Sequence, residues 1–275
     1  MRKRTFIIIL LAALLALAGA RAEDPAPALR GWSKDGGYVY LTLGEYPQTA
    51  EGGVEPILWR VLTVDAEKAY LCSEYILFAR PMHPSLKEYR DVIKGDFAQT
   101  ELCGYLNTVF AETAFTPAEL AMLLPCENYG RVFLLDAADA LNRDIGMGET
   151  HKGKTNTNKI IEEPGLRAWG TPYAIENNGG VTKDKEKLYV FQKKYGRCSP
   201  YWVRNQSTSD GRHARCTKDG GQMGHIEVAR ENEGVRPAVW LALGTFTVLG
   251  GDGTFDAPYR ILPEVEPDLT EVTEP

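Results

Sequence analysis

Apolar and polar positions first fall into a regular beat at "GGYVYLTLGEYPQ", where Tyr38, Tyr40 and Thr42 alternate with Val39, Leu41 and Leu43. A period of two predicts a half-buried strand. "PILWRVLTVDAEKAYLCSEYIL" then holds two β-rich runs around Asp65-Ala66-Glu67-Lys68, which reads as a hairpin. The beat next changes to three and four. Leu102, Tyr105, Leu106, Val109 and Phe110 share one helical face behind a cap at Thr100. "TPAELAMLL" predicts a shorter helix with Thr116 as cap and Pro117 at its first position. "RVFLLDAADALNR" predicts a short apolar strand running into a helix capped by Asp136.

From Asp144 to Gly196 the periodicity lapses into Lys, Asn, Gly and Thr, with Trp169 and the turn Asn177-Asn178-Gly179-Gly180 inside it. This predicts a long loop with little core of its own, and loops of that length are functional or disordered. Four short strand-like runs follow, "YWVRN", "HARCTK", "GHIEVAR" and "GVRPAVWLAL", separated by Gly, Asp and Asn clusters, and they predict an antiparallel sheet. Glu264 to Pro275 holds five acids and no base, the composition of a disordered tail or linker stub. No internal repeat is present. The reading is one α+β domain over 37–262, preceded by a leader over 23–36 and followed by a tail over 263–275.

The N-terminus changes the compartment. Arg2, Lys3 and Arg4 precede an apolar run from Phe6 to Ala18, and Ala20-Arg21-Ala22 presents small residues where a signal peptidase reads, so residues 1–22 are expected to be removed after Ala22. The apolar run is too short for a spanning helix, which needs about 20 residues, and no later stretch could cross a membrane. The expected location is therefore outside the cell or on its envelope. Loss of the bases Arg2, Lys3, Arg4 and Arg21 takes the formal charge from -6 to -10. Such a balance speaks against a nucleic-acid partner or an electrostatic grip on anionic lipid.

Export also bears on the five cysteines. Cys198 and Cys216 flank "SPYWVRNQSTSDGRHAR", which could fold back and bring them side by side as a disulfide. Cys72, Cys103 and Cys126 remain, and the alternative is that all five are buried small hydrophobes.

Candidate chemistry is sparse. His83, His151, His213 and His225 are scattered without a metal-ligand spacing, so no metal site is expected. Calcium could draw on Asn205, Asp210, Asp219 and Glu227, although no acidic calcium loop is present. No nucleophile elbow or phosphate loop occurs. What remains is recognition. Trp169, Tyr173, Tyr189, Tyr195 and Tyr201 bring aromatic surface to the irregular region, with Asn177, Asn178, Asn205 and Gln206 nearby. Stacking faces plus amides are what a sugar or peptide site uses. The candidate ligand-binding residues are Trp169, Tyr173, Trp202, Asn205 and Asp210. The alternative is that the aromatics only anchor a loop.

Taken in order, "ILWRVL", "LCSEYIL", "LCGYLNTVFAETAF", "RVFLLDAADAL", "TPYA", "YWVRN" and "GVRPAVWL" resemble a bacterial exported domain of unknown function, family 6273 of that series, over roughly Leu41 to Leu243. The family's double tryptophan before an arginine corresponds to Tyr201-Trp202, and the serine after it to Asn205. The order of elements is also similar to C-type-lectin-like domains and to the formylglycine-generating enzyme (sulfatase-modifying factor) group. That likeness implies a mixed fold with two or three short helices, a long irregular middle and a C-terminal antiparallel sheet. Fold likeness alone does not give function; with the signal peptide and the lack of a catalytic constellation, the resemblance leads to the expectation of a secreted, non-enzymatic domain binding glycan or protein at the cell surface. The alternative it carries is a copper/thiol oxidase working through Cys198 and Cys216.

Two arginines interrupt apolar runs. In a continuous strand Arg236 would share a face with Ala238 and Trp240, so its stem is expected on Trp240 and its fork on carbonyls or a carboxylate. Arg204 is expected to do the same beside Trp202. Both read as structural, because a buried charge without a partner costs several kcal/mol.

Overall fold

The computed structural model describes residues 29–148, 165–177, 198–207, 211–218 and 221–264. The expected signal peptide, Asp210, the Asn178–Gly180 turn, most of the middle region and the tail beyond Glu264 lie outside them.

β1 (Val39–Pro47), β2 (Val54–Val64) and β3 (Lys68–Ser73) form the antiparallel meander that the alternation announced. Asp65 holds the second turn, its Oδ1 accepting from the backbone N–H groups of Glu67 and Lys68. The chain then supplies β4 (Phe78–Ala79), β5 (Leu123–Leu124), β6 (Val132–Leu134), β7 (Trp202–Gln206), β8 (His213–Thr217) and β9 (Met223–Glu227). β10 (Gly234–Val235), β11 (Pro237–Ala242), β12 (Phe246–Gly250) and β13 (Tyr259–Pro263) follow.

The main sheet runs β12-β13-β1-β2-β3-β11-β5, with β6 also on β11. Its pairs are antiparallel except β1 with β13, which lie parallel with Leu41 beside Tyr259. The fold is α+β. Three of the four late runs make a separate antiparallel sheet, β7-β8-β9. The fourth corrects the expectation: Gly234–Val235 pairs with β4, and Pro237–Ala242 joins the main sheet. Arg236 is the step between two sheets.

The helices form where the caps placed them. Thr100 accepts from the Cys103 N–H. Thr116 and Glu119 make a reciprocal capping box with Pro117 in the first turn, and Asp136 accepts from the Asp139 N–H. The first helix differs inside. Its α-helical ends, Glu101–Tyr105 and Ala111–Ala114, flank a π turn at Leu106–Phe110. The extra residue in a π turn rotates the face, so Leu102, Leu106 and Phe110 are buried while Val109, expected beside them, is 53% exposed.

Beta-strand β1 is buried on both faces rather than one. One face packs on the helices, with Phe115 stacked 6.3 Å from Trp59. Across the other runs the row Tyr40, Arg60, Cys72 and Ala238, each opposite the next. Residues 165–168 and Tyr201 close over it, since Arg60 donates to the Gly165 carbonyl and the Tyr201 hydroxyl to the Leu166 carbonyl. The described middle segment therefore has core of its own: Leu166, Ala168 and Ala174 are fully buried. Part of the leader packs too, with the Trp32 N–H donating to the Leu62 carbonyl. No helix among the described residues is long and apolar enough to cross a membrane.

Candidate functional site

A cleft of about 590 Å³ opens between the β1–β2 turn, the residue after Glu74 and the segment 169–172. Backbone bonds fix its walls. The Ile76 N–H donates to the Trp169 carbonyl, the Thr171 N–H to the Ile76 carbonyl, and the Tyr173 N–H to the Gln48 carbonyl. Tyr75 and Trp169 supply aromatic surface, and Gln48, Glu51, Glu55 and Thr171 supply polar groups. Gln48 is 7% exposed and donates from Nε2 to the carbonyls of Glu55 and Pro56. Its Oε1 is left as an acceptor at the cleft. Burial, reinforced by the Glu74 carboxylate, raises the Tyr75 hydroxyl, which stays protonated and able to donate. None of the described residues lining the cleft is Lys, Arg or His.

Of the residues singled out in the sequence, Trp169 lines this cleft. Tyr173 stands beside it but turns its ring toward Tyr46, at 6.2 Å. Trp202 is 1% exposed, its Nε1 donating to the Arg80 carbonyl, and offers no stacking face. Asn205 is exposed on β7, and its Oδ1 accepts from the Ala137 N–H. Neither residue lines the cleft. Gln48, Glu51 and Glu55 were missed, because turn residues near the N-terminus carry no sign of meeting Trp169.

Behind the cleft lies a buried ionic layer. Arg60 clamps Glu74 through Nε and Nη2, the latter at 2.8 Å, with the guanidinium 4.8 Å from the Tyr38 ring centroid. Burial opposes the Glu74 charge, yet the Arg60 charge and hydrogen bonds, with Arg236 behind them, hold the carboxyl below its ordinary value. Arg236 is 1% exposed; its Nε donates to the Ser73 carbonyl at 2.6 Å and Nη1 to the Tyr201 hydroxyl at 3.2 Å. The carbonyl partner was expected, the stacking was not. Arg236 lies over Tyr201, 5.4 Å from its centroid, because the step from β10 to β11 breaks the strand phase. Trp240 instead stacks on Tyr70 at 4.4 Å and takes the Lys68 ammonium at 4.3 Å. Arg204 likewise sits over Tyr129 at 5.0 Å rather than beside Trp202, bonded to the Leu134 carbonyl and Asp136.

No disulfide joins Cys198 to Cys216 in the structure, and none pairs any of the other cysteines. Cys216 stands opposite Trp202, and the ladder continues from Thr217 to Tyr201, so Cys198 falls beyond its end. Its Sγ meets the Lys218 carbonyl at 3.5 Å. Burial, then the Glu233 carboxylate, pushes the Cys216 thiol up to about 12. A thiolate ligand for copper would have to form against that shift. Glu233, 3% exposed, is itself raised to about 7 by burial, Lys218 opposing. His213 and His225, scattered in sequence, meet on β8 and β9 with centroids 5.5 Å apart. No set of three His, Cys, Asp or Glu able to hold a metal forms among the described residues.

Comparison with protein-family models, curated proteins and solved structures finds no match to this chain.

Proposed function

We propose that this is a secreted, non-enzymatic binding domain of C-type-lectin-like architecture that recognises glycan at the cell surface, with the ligand seated in the Trp169 cleft. The export signal in the sequence and the absence of any catalytic motif there support the reading. The observation that carries it is the pairing of aromatic faces, Tyr75 and Trp169, with the polar groups of Gln48, Glu51, Glu55 and Thr171 in one cleft of about 590 Å³. Flat apolar faces between amides and carboxylates match a pyranose ring, which presents C–H on its faces and hydroxyls at its rim.

A glycan array followed by titration calorimetry on the purified protein tests this. We expect a ligand tighter than about 1 mM, near -4 kcal/mol, and a loss of about tenfold or more in Trp169→Ala with the unfolding midpoint retained. Full binding by a folded Trp169→Ala protein would remove the cleft from the account.

A further inference from the structure

The acceptors of the cleft go further than glycan in general. Gln48 is held by the carbonyls of Glu55 and Pro56, so its Oε1 has a fixed position and no hydrogen bond from the protein. The Thr171 Oγ1 already accepts from the Ala174 N–H, leaving its own hydrogen to donate. Glu51 and Glu55 stand exposed at the rim, and neither enters an ion pair among the described residues. Among the described residues, two carboxylates outside any ion pair and a fixed amide oxygen, with no base alongside, form a site short of donors and of positive charge. A neutral or N-acetylated sugar answers these acceptors only in part, since it brings no positive charge, and an acidic sugar is repelled.

We propose that the cleft selects a saccharide unit carrying a free, protonated amine, the ring lying against Trp169 or Tyr75 and the ammonium meeting Glu51, Glu55 and the Gln48 Oε1. The inference rests on the glycan reading above. An ammonium brings three donors and one charge, which is what the acceptors lack. The aromatic faces separate this ligand from a bare polyamine, whose thin chain would leave them uncovered, and they add cation–π attraction to the amine itself.

The probes are β-1,4-linked glucosamine oligomers, their fully N-acetylated counterparts and an oligolysine peptide, titrated into the purified protein at about pH 6, below the ~7.7–8.0 range of an α-amino group. The amine oligomer should bind about tenfold or more tighter than the N-acetylated one. That ratio should fall toward one as salt rises from about 0.05 M to about 0.5 M, where exposed charges are screened. Glu51→Gln with Glu55→Gln should lower it in the same way, and these exposed positions leave folding intact, to be verified from the unfolding midpoint. Equal or tighter binding of the N-acetylated oligomer overturns the inference and leaves the glycan reading standing. A ratio that survives in the double variant also overturns it. Tighter binding of oligolysine replaces the sugar with a peptide. If neither oligomer binds, the inference fails, and the array with Trp169→Ala decides the glycan reading separately.

Discussion

Arg60 and Arg236 share one buried layer without sharing its weight. Arg60 holds the Glu74 carboxylate, so Arg60→Met strands a buried negative charge and is expected to cost about 3–5 kcal/mol. Arg236 holds a carbonyl and a hydroxyl, and its Nη2 has no hydrogen-bond partner. Arg236→Met therefore leaves two neutral acceptors and relieves the repulsion from Arg60, for about 2 kcal/mol. Denaturant unfolding of the two variants checks the order; a reversal would mean that Arg236, not Arg60, is the partner that keeps Glu74 charged. Glu233 makes a second prediction. Its folded value, about 7, lies above the ordinary 4.5, so between those limits the folded chain holds a proton that the unfolded chain has released. Stability from this group is greatest below about 4.5 and declines as pH rises to about 7, by about 3 kcal/mol in all. Unfolding measured from pH 4.5 to 7.5 should show that slope in the wild type and its loss in Glu233→Gln. Beyond the carbonyl expected for Arg236, neither arginine's partners were legible, although the pattern was: a lone arginine in "ILWRVL" is the same signal as in "GVRPAVWL". Burial could be read from the run, whereas the partner lies across the sheet.

At the scale of elements, one side chain joins the first long helix to the turn before β6. Asn107 donates from Nδ2 to the carbonyls of Cys103, Tyr129 and Val132, and its Oδ1 accepts from the Val132 N–H. Asn107→Ala should cost about 2–3 kcal/mol by leaving several of these groups unpaired, read as a shift in the unfolding midpoint. A change below about 0.5 kcal/mol, the level of an ordinary surface substitution, would show that the turn holds itself. The elements legible in the sequence were those with local causes. Caps at Thr100, Thr116 and Asp136 and the alternation of β1 to β3 depend on neighbours a few residues away. The π turn escaped because its surplus residue is tolerated by packing, not announced by composition. β13 escaped because its partner β1 lies far off in the chain, β12 escaped with it because among the described residues it pairs with β13 alone, and Arg236 misled because a strand was read through a step between sheets.

For the whole molecule, the α+β class was legible from the succession of periods. Half of the cleft was as well, since Trp169 stood out in polar surroundings; the other half, from Gln48 to Glu55, becomes visible only once backbone bonds bring position 48 to position 173. The same long reach sets an order of events for the nascent chain. β13 is synthesised long after β1, yet it completes the pairing along that strand. Until Tyr259–Pro263 has emerged, β1 keeps a bare row of backbone donors and acceptors on one side, and closing so wide a loop is slow. That edge of the sheet is thus finished last, although the β1–β2–β3 meander beside it is made of sequence neighbours and needs nothing from the trailing end.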